Sequence, residues 1–309
     1  MKNNTLSPLL LQTVINGRAA LGWFSGEGDG GSSLPLAIYN PNKTAMLIDQ
    51  LRFSFHEESI LAIDFARGAA LQVEVLLGAI PLTKQFVTLG ALAPRYYGPL
   101  PEFTGNFAND HGPNGDNALT WHLPKPLYVP PLVQVSINVK VRALFAGDPA
   151  IYPPLAVTVV GRSLPDNFPV PGEIDIPWVT ETRCNTLATS FVSSDGDLVN
   201  SNDVPLNITQ FVGCNYNAEA NDASPGDFRV QMGLSNGTML LRDAIPFFLA
   251  FPSDRAVLPV SARLQPGAFV RLELESATPA GAPSGANACG VTAVAMHGYR
   301  TIQTPGTLG

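Results

Sequence analysis

WHLPKPLYVPPLVQVSINVKVRAL, residues 121–144, decides the fold. Its second half alternates without a break: Val133, Val135, Ile137, Val139 and Val141 fall on one side of Gln134, Ser136, Asn138, Lys140 and Arg142. A period of two puts the apolar side chains on one face, the mark of a strand with one buried and one wet side. The first half holds Pro124, Pro126, Pro130 and Pro131. Proline has no amide donor and breaks a helix, so these residues mark strand ends or a sheet edge.

The same phrase recurs near the C-terminus. Aligned on Pro124 and Pro252, WHLPKPLYVP faces LAFPSDRAVLP (249–259) with one residue inserted. An alternating strand follows each block, VQVSINVKVRAL in one half and AFVRLELES (268–276) in the other. Each half then ends on an apolar strand running into Gly-Arg or Gly-Tyr-Arg, VTVVGRSLP (157–165) and VAMHGYRTI (294–302). This pattern predicts two like β units in one chain.

Outward from these blocks the chain reads as strands and turns. Leu51, Phe53 and Phe55 alternate with Arg52 and Ser54, and Leu71, Val73, Val75 and Leu77 flank Gln72 and Glu74. Residues 94–117 carry four Pro and four Gly and read as a long loop. Residues 165–177, also with four Pro, read as an extended connector. Asn236-Gly237 between two apolar runs predicts a hairpin turn. No convincing amphipathic helix is found. Residues 1–33 read as an arm. Its apolar piece, Leu9 to Leu11 with Val14 and Ile15, precedes a SGEGDGGSS tether (25–33) and is expected to dock either on its own body or on a neighbouring subunit.

The expected architecture is all-β: two tandem antiparallel jelly-roll sandwiches with an extended N-terminal arm. Its divisions are 1–33 for the arm, 34–165 for the first jelly roll and 166–309 for the second. Units of this size with uneven strands suit a jelly roll better than an immunoglobulin-like domain, whose Cys…Trp…Cys spacing is missing.

Composition narrows the partners. Charged residues are 14% of the 309, against a usual quarter, as expected of a chain whose surface faces other protein. The net charge of −7, with Lys and Arg scattered, argues against a nucleic-acid binder. No stretch reaches the ~18 apolar residues of a membrane helix. Pro8 and the short apolar block do not make an export signal, so the Asn3, Asn42, Asn207 and Asn236 triplets are read as chance rather than glycosylation sites. Cys184, Cys214 and Cys289 form no C-x-x-C pair and are read as reduced thiols, with a Cys184–Cys214 disulfide as the alternative.

These features together resemble the double jelly-roll major capsid proteins of tailless, often membrane-containing viruses and phages. The resemblance covers the whole length and rests on architecture: an N-terminal arm, two tandem jelly rolls, a Pro-rich joint, low charge. It implies trimers whose six barrels form a pseudo-hexagonal block. It further implies a virion location, other virion proteins as partners, an internal lipid layer as a possible one, and synthesis in the host cytoplasm. Tyr96, Tyr97, Phe103, Phe107, Phe168 and Trp178 would supply apolar contact area between subunits.

Chemistry gives no competing signal. Nucleophile-elbow, P-loop, H-E-x-x-H and dinucleotide motifs are missing. His56, His111, His122 and His297 are dispersed, and the last two read as structural or interfacial. Asp110, His111, Asn114 and Asp116, like Asp195, Asp197, Asn202 and Asp203, read as polar turns before cation sites. Glu273 and Glu275 share one face of a strand, the wet one, although paired carboxylates about 5–9 Å apart would suit sugar cleavage. The expectation is therefore a capsid subunit, not an enzyme, with no catalytic, cofactor or metal residues. The alternatives are a capsid cement or spike protein, or a carbohydrate-binding or carbohydrate-cleaving β-sandwich.

Overall fold

The computed structural model describes residues 8–13, 24–26, 35–39, 45–55, 71–94, 119–141, 150–152, 155–165, 168–185, 197–217, 228–251, 257–276 and 290–304. The first half contributes β1 (Pro8–Thr13), β2 (Phe24–Gly26), β3 (Pro35–Tyr39), β4 (Met46–Phe55), β5 (Leu71–Leu77), β6 (Ile80–Pro81) and β7 (Val87–Thr88). A single turn of helix, α1 (Leu89–Leu92), follows, and then β8 (Leu119–Val129), β9 (Gln134–Val141), β10 (Ala150–Tyr152) and β11 (Leu155–Ser163). In the second half come β12 (Glu173–Asn185), β13 (Leu198–Val199), β14 (Leu206–Asn217), β15 (Phe228–Leu234), β16 (Met239–Pro246) and α2 (Phe247–Ala250). The last strands are β17 (Val257–Leu264), β18 (Phe269–Ser276) and β19 (Gly290–Gln303).

The strands pair in four principal sheets, and eight strands of the first half match the eight of the second. One sheet runs β1-β11-β4-β8 and its counterpart β12-β19-β14-β17. The opposing sheets run β3-β9-β5-β6, with β7 beside β5, and β13-β18-β15-β16. All these pairings are antiparallel, and β2 pairs with β10 separately. Two facing sheets with four strands each in this interleaved order, β7 being an addition to one of them, make a jelly roll, so the chain is a double jelly roll. The apolar piece of residues 1–33 docks on its own body: Leu9, Leu10 and Leu11 lie opposite Gly161, Val160 and Val159.

Local chemistry explains why the strands sit where they do. Alternation in residues 133–141 buries Val135, Ile137 and Val139 while Gln134 stays exposed. Strand β8 is a sheet edge, where proline costs no ladder bond. Between His122 and Leu127 it swells past β4, which advances only from Gln50 to Ile48, so Pro124 and Pro126 sit in the bulge.

The bulge has a twin. In β14 the register slips between Ile208 and Gln210 against β17 residues Ala262 and Pro259. Counting from the matched turns that follow β8 and β17, Pro124 corresponds to Pro259; Pro252, which the alignment of the two sequence blocks pairs with it, lies outside the described residues. The residues across the twin bulges are Ile48-Asp49-Gln50-Leu51 and Ile208-Thr209-Gln210-Phe211, a repeat that the prolines overshadowed in the sequence. Gly161 and Gly298 face the two slips. A Cβ on Gly161 would lie 2.1 Å from Leu47 O, and one on Gly298 2.3 Å from Asn207 O. Gly-Arg and Gly-Tyr-Arg therefore end both halves for one reason: the neighbouring backbone leaves no room for a side chain.

The two ends of each barrel differ. At one end the turns are tight. Pro130-Pro131-Leu132-Val133 closes with a bond from Val133 N to Pro130 O (3.3 Å), and Gln265-Pro266-Gly267-Ala268 closes with one from Ala268 N to Gln265 O (3.0 Å). The third position is left-handed in both, Leu132 at φ 64° and Gly267 at φ 75°. Strands β4 and β18 end, and β5 and β19 begin, at the opposite end. Leaving β11, the chain is tied at the tight-turn end by a bond from Leu164 N to Ala45 O (2.9 Å). Strand β12 starts from that end too, so the second barrel repeats the orientation of the first.

Candidate functional site: the seam between the barrels

The β12–β19–β14 sheet is covered on both faces. Val294 and Met296 of β19 point into the second barrel's own core, with Trp178, Phe211, Val230 and Met232. Ala293 and Ala295 of the same strand, with Ile174, Ile176 and Val179 of β12, pack instead into the first barrel's core against residues such as Leu82, Leu89 and Leu92. This is why VTAVAM reads as a continuous apolar run rather than an alternation. Trp178 is only 4% exposed, which corrects its assignment as a loop aromatic available between subunits. Burial of its ring follows from its place on β12, where it points inward.

Polar groups fasten this apolar seam. The segment after β6 lies against the outer edge of β12: Val179 N donates to Leu82 O (3.0 Å) and Lys84 N donates to Val179 O (2.7 Å). Thr88 donates its amide to Glu181 Oε2 (2.5 Å) and its hydroxyl to Glu181 Oε1 (3.0 Å). Both carboxylate oxygens of Glu181 thus take donors from the first barrel, an arrangement worth more than neutral bonds of the same length. His297 reaches Ala91 O with Nε2 at 2.9 Å. Lys125 Nζ lies 5.3 Å from the centre of the Tyr299 ring across the same seam.

Arg300 is the most connected member. Its guanidinium stacks over Trp178 at 4.7 Å. One arm donates to Pro81 O of the first barrel (3.1 Å) and the other to Asn202 Oδ1. Burial lowers its pKa, with Asp203 pulling the other way. Asn202 is itself fixed by Asn200 Oδ1, which accepts from its amide N (3.1 Å) and its side-chain Nδ2 (2.9 Å). Asn200 Nδ2 in turn donates to Val204 O and Leu264 O, both at 3.1 Å.

That network holds the described part of the 195–203 loop. Asn202 offers its oxygen to Arg300, a cation already, and Asp197 pairs with Arg271 at 3.4 Å. Asp203 is exposed. Among the described residues no three His, Cys, Asp or Glu side chains come together as a metal site would need. Asp195 lies outside the described residues, as do Asp110, His111, Asn114 and Asp116, His56, Cys289, Asn3, Asn42, and the aromatics Tyr96, Tyr97, Phe103 and Phe107. Glu273 is exposed opposite Gln231, and Glu275 lies opposite Arg229 in the register. His122 is exposed on β8. Asn207 lies within β14, whereas Asn236 is exposed in the predicted hairpin turn, where Gly237 takes φ 86°.

Cys214 is a free thiol, which excludes the Cys184–Cys214 bridge. Burial, then the Glu181 carboxylate, push it up to about 12. Phe168 and Val170 in the connector are 42% and 57% exposed, so the connector covers little apolar surface and the seam itself joins the barrels. The seam residues Glu181, Thr88 and Arg300 were not singled out from sequence. The one available signal was the loss of alternation in residues 291–296. Among the described residues no helix is long and apolar enough to cross a membrane.

No protein-family model matches the chain, and no curated protein sequence matches it. Among solved structures it is similar to the crystal structure of the STIV MCP, at 11% identity and a TM-score of 0.44, over 96% of this chain and 97% of that one. It is also similar to a chain in the atomic structure of Sulfolobus Turreted Icosahedral Virus, at 12% identity and a TM-score of 0.44, over 96% of this chain and 90% of that one.

Proposed function

We propose that this chain is a virion structural protein, a self-assembling capsid subunit. The observation that carries the reading is the seam: two like barrels, in the same orientation, held side by side by a sheet buried on both faces. An enzyme needs one barrel to carry a site. Two aligned barrels fused along an apolar wall make a broad tile with two similar outer walls. Closed cyclic symmetry is the common route for such a subunit, and three copies about one axis would present six near-equivalent barrels. We place the divide between the barrels at 165/166, within the connector, with 34–165 and 166–309 as the two jelly rolls and residues 1–33 lending a strand to the first. Its partners in this reading are its own copies and other virion proteins, and its location is the virion shell.

Light scattering on the purified chain after size-exclusion chromatography tests the proposal, followed by electron microscopy. A trimer that tiles into pseudo-hexagonal arrays is expected. A monomer that neither assembles nor enters particles would overturn the reading, and glycan binding by that monomer would favour a carbohydrate-directed β-sandwich.

A further inference from the structure

One ring in the seam has half of its hydrogen bonding missing. His297 is 1% exposed and lies in β19 between Val179 of β12 and Gln210 of β14. A carbonyl oxygen only accepts, so the 2.9 Å contact with Ala91 O places the ring proton on Nε2. Nδ1 is then a lone pair, buried and without a partner. The matching position of the first barrel is Val160, which has no proton to gain or lose.

Nor do the surroundings supply an acceptor for a second ring proton on Nδ1. On β12 the carboxylate facing the first barrel is Glu181, and both its oxygens take donors from Thr88. On β14 the Cys214 thiol is held neutral by burial. Helix α1 has no ionisable side chain, and Lys84 before it meets β12 through its backbone amide. Across on β8, Lys125 rests on Tyr299 and His122 is exposed. Further along β19, Arg300 is another cation, with Asp203 acting on it electrostatically.

We propose that His297 makes the seam an acid-sensitive joint: a second ring proton, on Nδ1, is accepted only when α1 and β19 part, so that falling pH separates the two barrels while each sandwich stays folded. The joint lies within one chain, so the inference stands apart from the capsid reading. Burial supports it, lowering His297 from 6.5 to about 4 in the closed seam. The sign follows. Above about 6.5 neither state is protonated and the seam is at full strength. Between about 6.5 and about 4 only the open state takes the proton, and closure weakens. With those two values the closed-to-open ratio falls about 30-fold by about pH 5 and about 150-fold by about pH 4.

Hydrogen exchange on the full, unassembled chain, corrected for intrinsic rates and followed from about pH 7 down to about pH 4, tests the joint. The amides of Val179 and Lys84, which bond across the seam, should lose protection before those of the β5–β9 and β15–β18 ladders. His297→Gln keeps a donor for Ala91 O without a titrating ring, and in it the early loss should vanish. Seam and ladder amides losing protection together, seam amides still protected at about pH 4, or an identical early loss in the variant would each overturn the proposal. If the variant does not fold, the wild-type ring titration read by nuclear magnetic resonance decides: a midpoint near about 4 supports the joint, and one near about 6.5 removes it.

Discussion

Replacing Gly298 by alanine adds one carbon where the neighbouring backbone already stands. An ideal Cβ there lies 2.3 Å from Asn207 O, 3.1 Å from Asn207 C and 3.2 Å from Ile208 Cα. Ordinary contact begins near ~3.5 Å, so the Asn207 carbonyl must withdraw by roughly 1 Å. It cannot withdraw alone, because Asn207 and Ile208 are paired with Tyr299 and Gly298 in the ladder. Overpacking costs about 1–3 kcal/mol, and each loosened ladder bond adds about 1 kcal/mol. Gly298→Ala should therefore lose about 3 kcal/mol or more, a fall of about 6–12 °C in the melting midpoint. Gly172→Ala is the control, since nothing lies within 4 Å of its added carbon. Gly161→Ala should resemble Gly298→Ala, because its Cβ meets Leu47 O at 2.1 Å in the twin bulge. Scanning calorimetry on the three variants is the assay. If Gly298→Ala melts with Gly172→Ala, the close approach does not exist and the strand-for-strand match loses its physical basis.

The tight turns predict a reciprocal exchange. Leu132→Gly removes a left-handed leucine that is 62% exposed and should be neutral or gain up to about 1 kcal/mol, whereas Gly267→Leu should lose about 1 kcal/mol, both read from urea midpoints. Arg300→Lys keeps the charge but gives up the fork that spans Pro81 O and Asn202 and the stack on Trp178; a loss of about 2 kcal/mol is expected by denaturant unfolding, and an unchanged midpoint would deny the clamp. Cys214, raised to about 12, should resist iodoacetamide in the folded chain near neutral pH, because only about one thiol in 10,000 or fewer is ionised there; peptide-resolved mass spectrometry that finds rapid labelling would contradict its raised pKa.

The sequence showed its strands and its repeat because both are written in short-range chemistry. Alternation along residues 133–141 declares a one-sided strand, and glycine before arginine at the end of each half declares a crowded bulge. Asn236-Gly237 declared its turn through the positive φ that glycine tolerates. The alignment on Pro252 drifted because a proline is welcome at several places along an edge. Only counting back from the matched tight turns aligns Pro124, inside one bulge, with Pro259, at the edge of the other. The seam was less legible. Glu181 and Thr88 are 93 residues apart, and Arg300 and Pro81 are 219 apart. Nothing local in TETRC or HGYRT announces such partners. Trp178 misled for a related reason: next to a Pro-rich stretch it looks like loop, and only its place inside strand β12 turns it inward.

The two barrels use one plan and differ where they meet. In the first, the position beside the bulge is Val160; in the second it is His297, on a sheet whose far side is the first barrel. Thr209 of β14 donates to His297 O at 3.3 Å, where the matching Asp49 of β4 pairs with Arg162 at 3.4 Å, both of the latter about two-fifths exposed. A half-buried charge pair in one copy stands where the other has a half-buried neutral contact. The same register position thus carries charge in one copy and a neutral hydrogen bond in the other. Duplication alone would leave two barrels joined by a connector that buries little. The second barrel's wall packs into the first barrel's core through Ile174, Ile176, Val179, Ala293 and Ala295, so the closed seam holds the barrels in a fixed orientation. A tile needs that orientation if its outer walls are to meet those of its neighbours.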